Sequence, residues 1–406
     1  MIGKRHDKEN NKINKSYRSK QIREDKKMKE KRLTVWESAC IVTGYGVGGG
    51  VMSMPYLTVK TGFLPSMVIL AAALFASYVL HLMIAELAIK TEEGGQIISC
   101  LSRFLFRGKG KMILTVVFFV LMALILCTNL AAYISGAEEI AVELLPVSGL
   151  VAKLIFYIAA ATVVLFGLKA VGVSEKIAVA VIFVLIGILA VASLFAEHHE
   201  IVLFGGTTQA ALAYFGMAMF AMSAFFSVPQ AVEGLQGDSE KVKKAVFLGL
   251  FNNFILIAVI SLCALMASKE VTEVAMVGWS AGIGTWAQIV GGIFTILAML
   301  TTYWSISLAL GSIVQEQTKL DTRACWILAT LPSLVLSLLP FGGFMEFMRL
   351  AGGLIAIVVA VMVVPAYRNA RNEFSGSLLG KYGGTAMQII IFIAYILMGI
   401  GSVVTV

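Results

Sequence analysis

The chain returns again and again to apolar runs of about twenty residues, a length that soluble folds do not need and a bilayer does. The hydrocarbon core is about 30 Å thick, and inside it only an α-helix or a closed barrel satisfies its own backbone polar groups. A helix covers that distance in about 20 residues, whereas barrel strands need only about 10, so runs of this length mean helices. They fall near 35–60, 64–89, 112–140, 150–168, 174–196, 207–236, 245–268, 284–314, 323–340, 345–366 and 385–405, giving eleven predicted spans, numbered here 1 to 11. An all-α polytopic membrane protein is therefore expected. Composition agrees: 59% of residues are hydrophobic and 14% charged, against about 45–50% and about 25% in soluble domains.

Basic residues sort strongly by side. With the N-terminus cytoplasmic, all of the 32 Lys and Arg residues fall inside except Lys60, Lys153, Lys269 and Arg349. This is the asymmetry that membrane insertion produces, and it places the C-terminus outside, in a multi-pass protein of the cell membrane. The net charge of +8 is thus a topology signal, not a nucleic-acid footprint. Residues 1–33, rich in Lys, Asn, Glu and Arg, are too polar to bury a core and are expected to be a disordered cytoplasmic tail, either solvated or resting on anionic headgroups. Residues 34–406 are expected to form the membrane domain.

Nothing in the polar residues points to an enzyme. The five cysteines contain no Cys-x-x-Cys pair, the four histidines form no metal-ligand pattern, and there is neither a His-Glu-x-x-His helix nor a Gly-x-Ser-x-Gly turn. No cofactor is expected, and protein partners cannot be read; the lipid bilayer and a small molecule are the expected partners.

Span 1 contains Gly44-Tyr45-Gly46-Val47-Gly48-Gly49-Gly50, five glycines in seven residues. Gly44, Gly46 and Gly49 fit a dinucleotide fingerprint, but that motif needs a preceding strand and an acidic residue about 20 positions later, and position 64 is Leu64. Two readings remain, close helix packing through small residues or a helix broken at mid-membrane whose freed backbone lines a cavity. Span 6 offers a second candidate break in Phe220 to Pro229, and Ser53-Met54-Pro55 and Ser227-Val228-Pro229 share the pattern Ser-x-Pro. Each copy opens a possible five-helix unit, as inverted repeats require.

The run from Gly48 through Ser53-Met54-Pro55-Tyr56 to Thr61-Gly62-Phe63 resembles the first helix of amino acid/auxin permease-type transporters of the amino acid/polyamine/organocation superfamily. Phe226 to Pro229 with Gly237-Asp238 and Lys241 to Gly249, and Ala298 through Gly311, are similar to its bacterial aromatic and hydroxy amino acid permease branch. The resemblance implies a LeuT-type bundle of two inverted five-helix repeats, near 34–200 and 205–370, plus an extra helix near 385–405. It also implies a cation-coupled symporter of a small amino acid, working by alternating access around a midplane site.

Carried over, the resemblance puts the substrate carboxylate on backbone N–H groups around Gly46, Gly48, Gly49 and Gly50. The ammonium then meets carbonyls around Met222, Ser223 and Ala224, with Phe225 or Phe226 shaping the side-chain pocket. Asn129 and Tyr133 either add polar contacts or bond between helices. Coupling by Na⁺ would use carbonyls of Thr43, Gly46 and Ala298 with the hydroxyls of Thr301 and Thr302, an oxygen set suited to a hard cation. Coupling by H⁺ would use His81 or Glu86. Glu37, Glu86 and Glu233 near the inner ends of their spans are either surface groups or part of an inner gate, and Glu346 with Arg349 forms a candidate outer gate. The rival to transport is a receptor of the same fold that binds an amino acid without moving it.

Overall fold

The computed structural model describes residues 32–91, 95–272, 274–339, 344–373 and 377–404, so the expected N-terminal tail lies outside the described residues. Fifteen α-helices account for nearly all of them. Span 1 is two helices, α1 (Val35–Gly46) and α2 (Gly49–Thr61); span 2 is α3 (Phe63–Lys90), and a short α4 (Ile97–Phe104) follows. Spans 3 to 5 are α5 (Lys111–Leu144), α6 (Gly149–Leu165) and α7 (Leu168–Ser193). Span 6 is again divided, into α8 (Thr208–Ala221) and α9 (Ser227–Gly234), and span 7 is α10 (Ser239–Ala267). A second short helix, α11 (Ala275–Ile283), precedes span 8, α12 (Thr285–Thr318); spans 9 to 11 are α13 (Thr322–Leu338), α14 (Phe344–Glu373) and α15 (Thr385–Val403).

Local chemistry sets the ends. Thr34 closes a capping box on α1: its hydroxyl accepts from the Glu37 N–H (3.2 Å), and the Glu37 carboxylate accepts from the Thr34 N–H (2.9 Å). Asp238 and Asp321 cap α10 and α13 in the same side-chain-to-backbone manner. The helices α4 and α11 went unforeseen because, at eight and nine residues, they are too short to span. The apolar side of α4, Ile97, Ile98, Leu101 and Phe104, is nonetheless fully buried against the bundle.

Six unbroken helices, α3, α5, α7, α10, α12 and α15, are long and apolar enough to cross a bilayer. The peripheral ones turn bare side chains outward, including Met112, Val117, Leu124, Ile155, Val184 and Ile393, an arrangement that suits lipid and not water. The broken spans lie within, where neighbouring helices supply partners for the interrupted backbone. There α1 packs on α9 and α10, and α2 packs on α8, so the halves of spans 1 and 6 run side by side in opposite sense.

Span 11 clamps this core from one side. A Cβ on Gly401 would collide with the Leu212 carbonyl, and one on Gly216 would sit 2.7 Å from the Gly401 carbonyl carbon, so α8 and α15 cross backbone to backbone. Gly401→Leu therefore overpacks the crossing, at a cost of about 1–3 kcal/mol. The expected outcome is a melting temperature several degrees lower in detergent, measured by thermal scanning.

Candidate substrate and coupling site

The two breaks meet at the centre. In span 1 the regular ladder ends with Val47 N–H donating to the Thr43 carbonyl (3.0 Å). The second half begins after Gly48, with no side chain capping its first turn. In span 6 residues Met222 to Phe226 are non-helical between α8 and α9. Their proximity is direct: a Cβ on Gly46 would lie 2.8 Å from the Ala221 carbonyl oxygen, and one on Gly50 3.2 Å from the Ala221 Cα.

The alternating glycines of span 1 have a use that their backbone freedom does not explain. Each leaves space for polar side chains from surrounding helices. The Glu175 carboxyl of α7 occupies the place of a Cβ at Gly44, and the Asn253 amide of α10 that at Gly46. At Gly48, a Cβ would lie 2.6 Å from the Tyr133 hydroxyl of α5 and 2.9 Å from the Thr302 hydroxyl of α12. Residues four apart share a helix face, so Glu175 and the Tyr133–Thr302 pair lie one turn apart along the same side of α1, with Asn253 opposite. The Asn253 amide is fully buried and neither its oxygen nor its nitrogen has a partner; the side-chain carbonyl of Asn129 is likewise buried and unpaired.

Helix α12 runs a ladder of hydroxyls along α1. Thr302 Oγ donates to the Gly44 carbonyl (2.9 Å) and lies 3.0 Å from that of Ala298, with Thr301 beside it (3.4 and 2.8 Å). One turn on, Ser305 Oγ is 2.7 Å from Glu175 Oε1 and 3.3 Å from the Ile41 carbonyl. The α1 carbonyl that the Thr301 and Thr302 hydroxyls meet in this conformation is that of Gly44. Because the helical ladder persists as far as Val47, the Thr43 carbonyl stays occupied. The Thr43 hydroxyl turns instead to span 7, to the Gly249 carbonyl (3.2 Å) and the Asn252 amide (3.1 Å). Gly46 faces Ala221 and Asn253.

His81 reaches the second break. Its Nε2 accepts from the backbone N–H of Ala224 (2.8 Å), and Nδ1 is 2.6 Å from the Ser77 carbonyl. Serving as acceptor at Nε2 and donor at Nδ1 fixes one neutral tautomer, so in this conformation His81 holds the unwound strand in place. Phe225 packs on its ring (5.1 Å between centroids) and on Tyr395 of α15 (5.9 Å); Phe226 instead stacks on Tyr45 of span 1 (6.5 Å). Met222 and Ser223 are buried, the Ser223 hydroxyl donating to the Met219 carbonyl (2.8 Å).

Other candidates lie away from the breaks. Glu86 is ion-paired with Lys90 (2.6 Å) and accepts from Ser377 Oγ (2.9 Å) and the Leu378 N–H (2.9 Å), tying span 2 to the segment after span 10. Glu37 pairs with Lys169 (2.6 Å) and Lys176 (3.2 Å), joining the start of span 1 to the start of span 5. Leu33 adds a backbone bond to Gly234 at the end of α9 (2.8 Å). That end of the molecule is closed. At the opposite end the turn between spans 1 and 2 is covered by the loop before α8, through Phe63 N–H to the Val202 carbonyl (2.9 Å) and Leu64 N–H to that of Leu203 (3.0 Å). The helix α14 carries Glu346 and Arg349, but their side chains lie outside the described residues.

Two buried polar residues packed on α1 beside the site, Glu175 and Asn253, were not anticipated. With span 5 expected from 174, Glu175 passes for a group at the helix end; the helix starts at Leu168, which moves Glu175 two turns inward. Asn253 was legible as an amide within an apolar run.

The profile of the tryptophan/tyrosine permease family matches residues 31–402. No curated protein matches the chain in sequence. Among solved structures, Mhp1, a nucleobase-cation-symport-1 family transporter with bromovinylhydantoin bound, superimposes with a TM-score of 0.64 at 13% identity, covering 92% of each chain. MhsT in complex with L-phenylalanine gives 0.63 at 15%, covering 91% of this chain and 99% of that one. A mutant of the manganese transporter of Eremococcus coleocola gives 0.65 at 13%, covering 91% and 85%. The bundle therefore has the LeuT-type fold that the resemblance implied.

Proposed function

This chain belongs to the tryptophan/tyrosine permease family, and we propose that it carries an aromatic amino acid across the cell membrane, coupled to a cation gradient, by alternating access to the paired breaks of spans 1 and 6. The observation that carries this reading is the meeting of four helix ends at one point. The starts of α2 and α9 are the positive ends of their helix dipoles, and the ends of α1 and α8 the negative ones. A zwitterion fits that arrangement, its carboxylate at the uncapped N–H groups of Gly48 to Gly50 and its ammonium at the carbonyls about Met222 to Ala224. Tyr45 and Phe226, stacked on one another between the two breaks, are the aromatic surfaces of this reading. Asn253, Asn129 and Tyr133 are the polar contacts in this reading.

The N-terminus lies in the cytoplasm by the distribution of basic residues, so the Glu37–Lys169–Lys176 cluster is proposed as the inner gate. Glu37→Gln removes both ion pairs and is expected to favour the inward-open form. Cys40, one turn away and buried, then reacts several-fold faster with a thiol reagent added from the cytoplasmic face, as peptide mass spectrometry reads.

The test of function is uptake into proteoliposomes. Labelled tryptophan or tyrosine should accumulate above its external concentration when an ion gradient is imposed. Binding without accumulation would mean a receptor, and neither would reject the aromatic substrate.

A further inference from the structure

Glu175 is a carboxyl in the interior of the bundle with no counter-charge. Where Glu37 and Glu86 are both ion-paired, Glu175 is wholly buried, its Oε1 meets the Ser305 hydroxyl (2.7 Å), and its Oε2 has no partner. The neighbouring Lys176 turns away to Glu37 (3.2 Å). A carboxylate in such surroundings requires several donors or a cation to offset its lost hydration, and a single serine hydroxyl does not suffice. A neutral acid fits: its proton on Oε1 is donated to Ser305 Oγ, which in turn donates to the Ile41 carbonyl (3.3 Å).

Its position is as informative as its burial. The carboxyl rests on Gly44, the residue whose carbonyl accepts from Thr302 at the end of α1 (2.9 Å). That is a negative helix end, and it stabilises positive charge. The groups facing Glu175 from packed elements are Cys40 and, a turn further, Glu37 on α1. Helix α12 offers Ser305 and α9 Gln230, whose amide donates to the Ser305 carbonyl (3.1 Å), while Asn253 of α10 stands on the other side of α1; the basic residue of α6, Lys153, is paired with Glu138 (3.0 Å), and α11 directs Trp279 to Ser193 (2.7 Å).

We infer that Glu175 carries the proton that crosses with the substrate, a reading that rests on the transport function proposed above. The acid is neutral while the breaks are occluded. When the Glu37 cluster opens, water entering between α1, α7 and α12 takes the proton from the carboxyl to the cytoplasmic side; the empty site then turns outward with Glu175 deprotonated and takes its next proton from outside, so a proton crosses with each turn of the cycle. Mid-membrane ionisable groups in transporters characteristically serve such relays.

The experiment compares wild type and Glu175→Gln in sodium-free proteoliposomes loaded with or without unlabelled tryptophan. Glutamine keeps the shape of the protonated acid and cannot release a proton. Exchange of labelled for internal tryptophan should therefore persist, while accumulation driven by an inward proton gradient falls by about 10-fold or more, within the ordinary range of coupling energies. Equal gradient-driven accumulation by both proteins overturns the inference and leaves the function intact. So does wild-type accumulation that needs sodium and ignores the proton gradient. Absence of both exchange and uptake in wild type instead defeats the function proposed. If Glu175→Gln does not fold, Glu175→Asp carries the test: it retains a carboxyl one methylene back, and its uptake should persist with a displaced pH midpoint. An unchanged midpoint overturns the inference.

Discussion

Gly46→Val is expected to abolish substrate binding while leaving the helices in the membrane. The position faces the Ala221 carbonyl at 2.8 Å and the Asn253 amide at closer range, so a side chain must push span 1 from span 6 at the level of both breaks. Asn253 can give way; the backbone carbonyl at the end of α8 cannot. Overpacking of this kind costs about 1–3 kcal/mol of stability. The larger effect is on the site, since displacing binding groups by about 1 Å can cost about 100-fold. Isothermal titration with tryptophan against the variant reads this as lost affinity, with far-UV circular dichroism unchanged. Full-strength binding by the variant would mean that the backbones about Gly46 and Ala221 do not form the substrate site.

His81→Ala is the second large effect, and it acts without any assumed contact with substrate. Removing the imidazole leaves the Ala224 N–H buried without an acceptor, at about 1–3 kcal/mol, and opens a cavity beside Phe225. The unwound segment loses the one side chain that fixes its backbone, so apparent affinity for the aromatic amino acid is expected to fall about 10-fold or more, each tenfold being about 1.4 kcal/mol. His81→Gln supplies an amide oxygen at a similar reach and should recover part of the loss. Identical binding curves for His81→Ala and wild type would remove His81 from the site. Its use of both ring nitrogens in this conformation also separates it from Glu175: His81 accepts an N–H from the break at Nε2, whereas Glu175 has a carboxyl oxygen without a partner.

How far these residues could be foreseen depended on the range of the interactions that place them. The eleven apolar runs mark the spans because burial in hydrocarbon acts on each run alone. The glycine run and the small residues of Phe220 to Pro229 mark the breaks because helix weakness is local as well. That the Thr301 and Thr302 hydroxyls meet the Gly44 carbonyl was not legible, since where a helical ladder ends and which carbonyl it presents depends on its neighbours. Glu175 escaped notice because its helix begins six residues earlier than its apolar run, at Leu168.

By itself, then, the sequence determined that the chain spans a membrane in many helices, that two of these carry weak, small-residue stretches at matching places, and that it resembles amino acid permeases. Only the tertiary structure decided what those interruptions face. It set Glu175, Asn253, Tyr133 and Thr302 against successive glycines of span 1, and His81 against the backbone of span 6. The physical reason is separation along the chain: His81 and Ala224 stand 143 residues apart, and Gly44 and Thr302 258. No periodicity within one helix encodes which side chain a neighbouring helix will present to it.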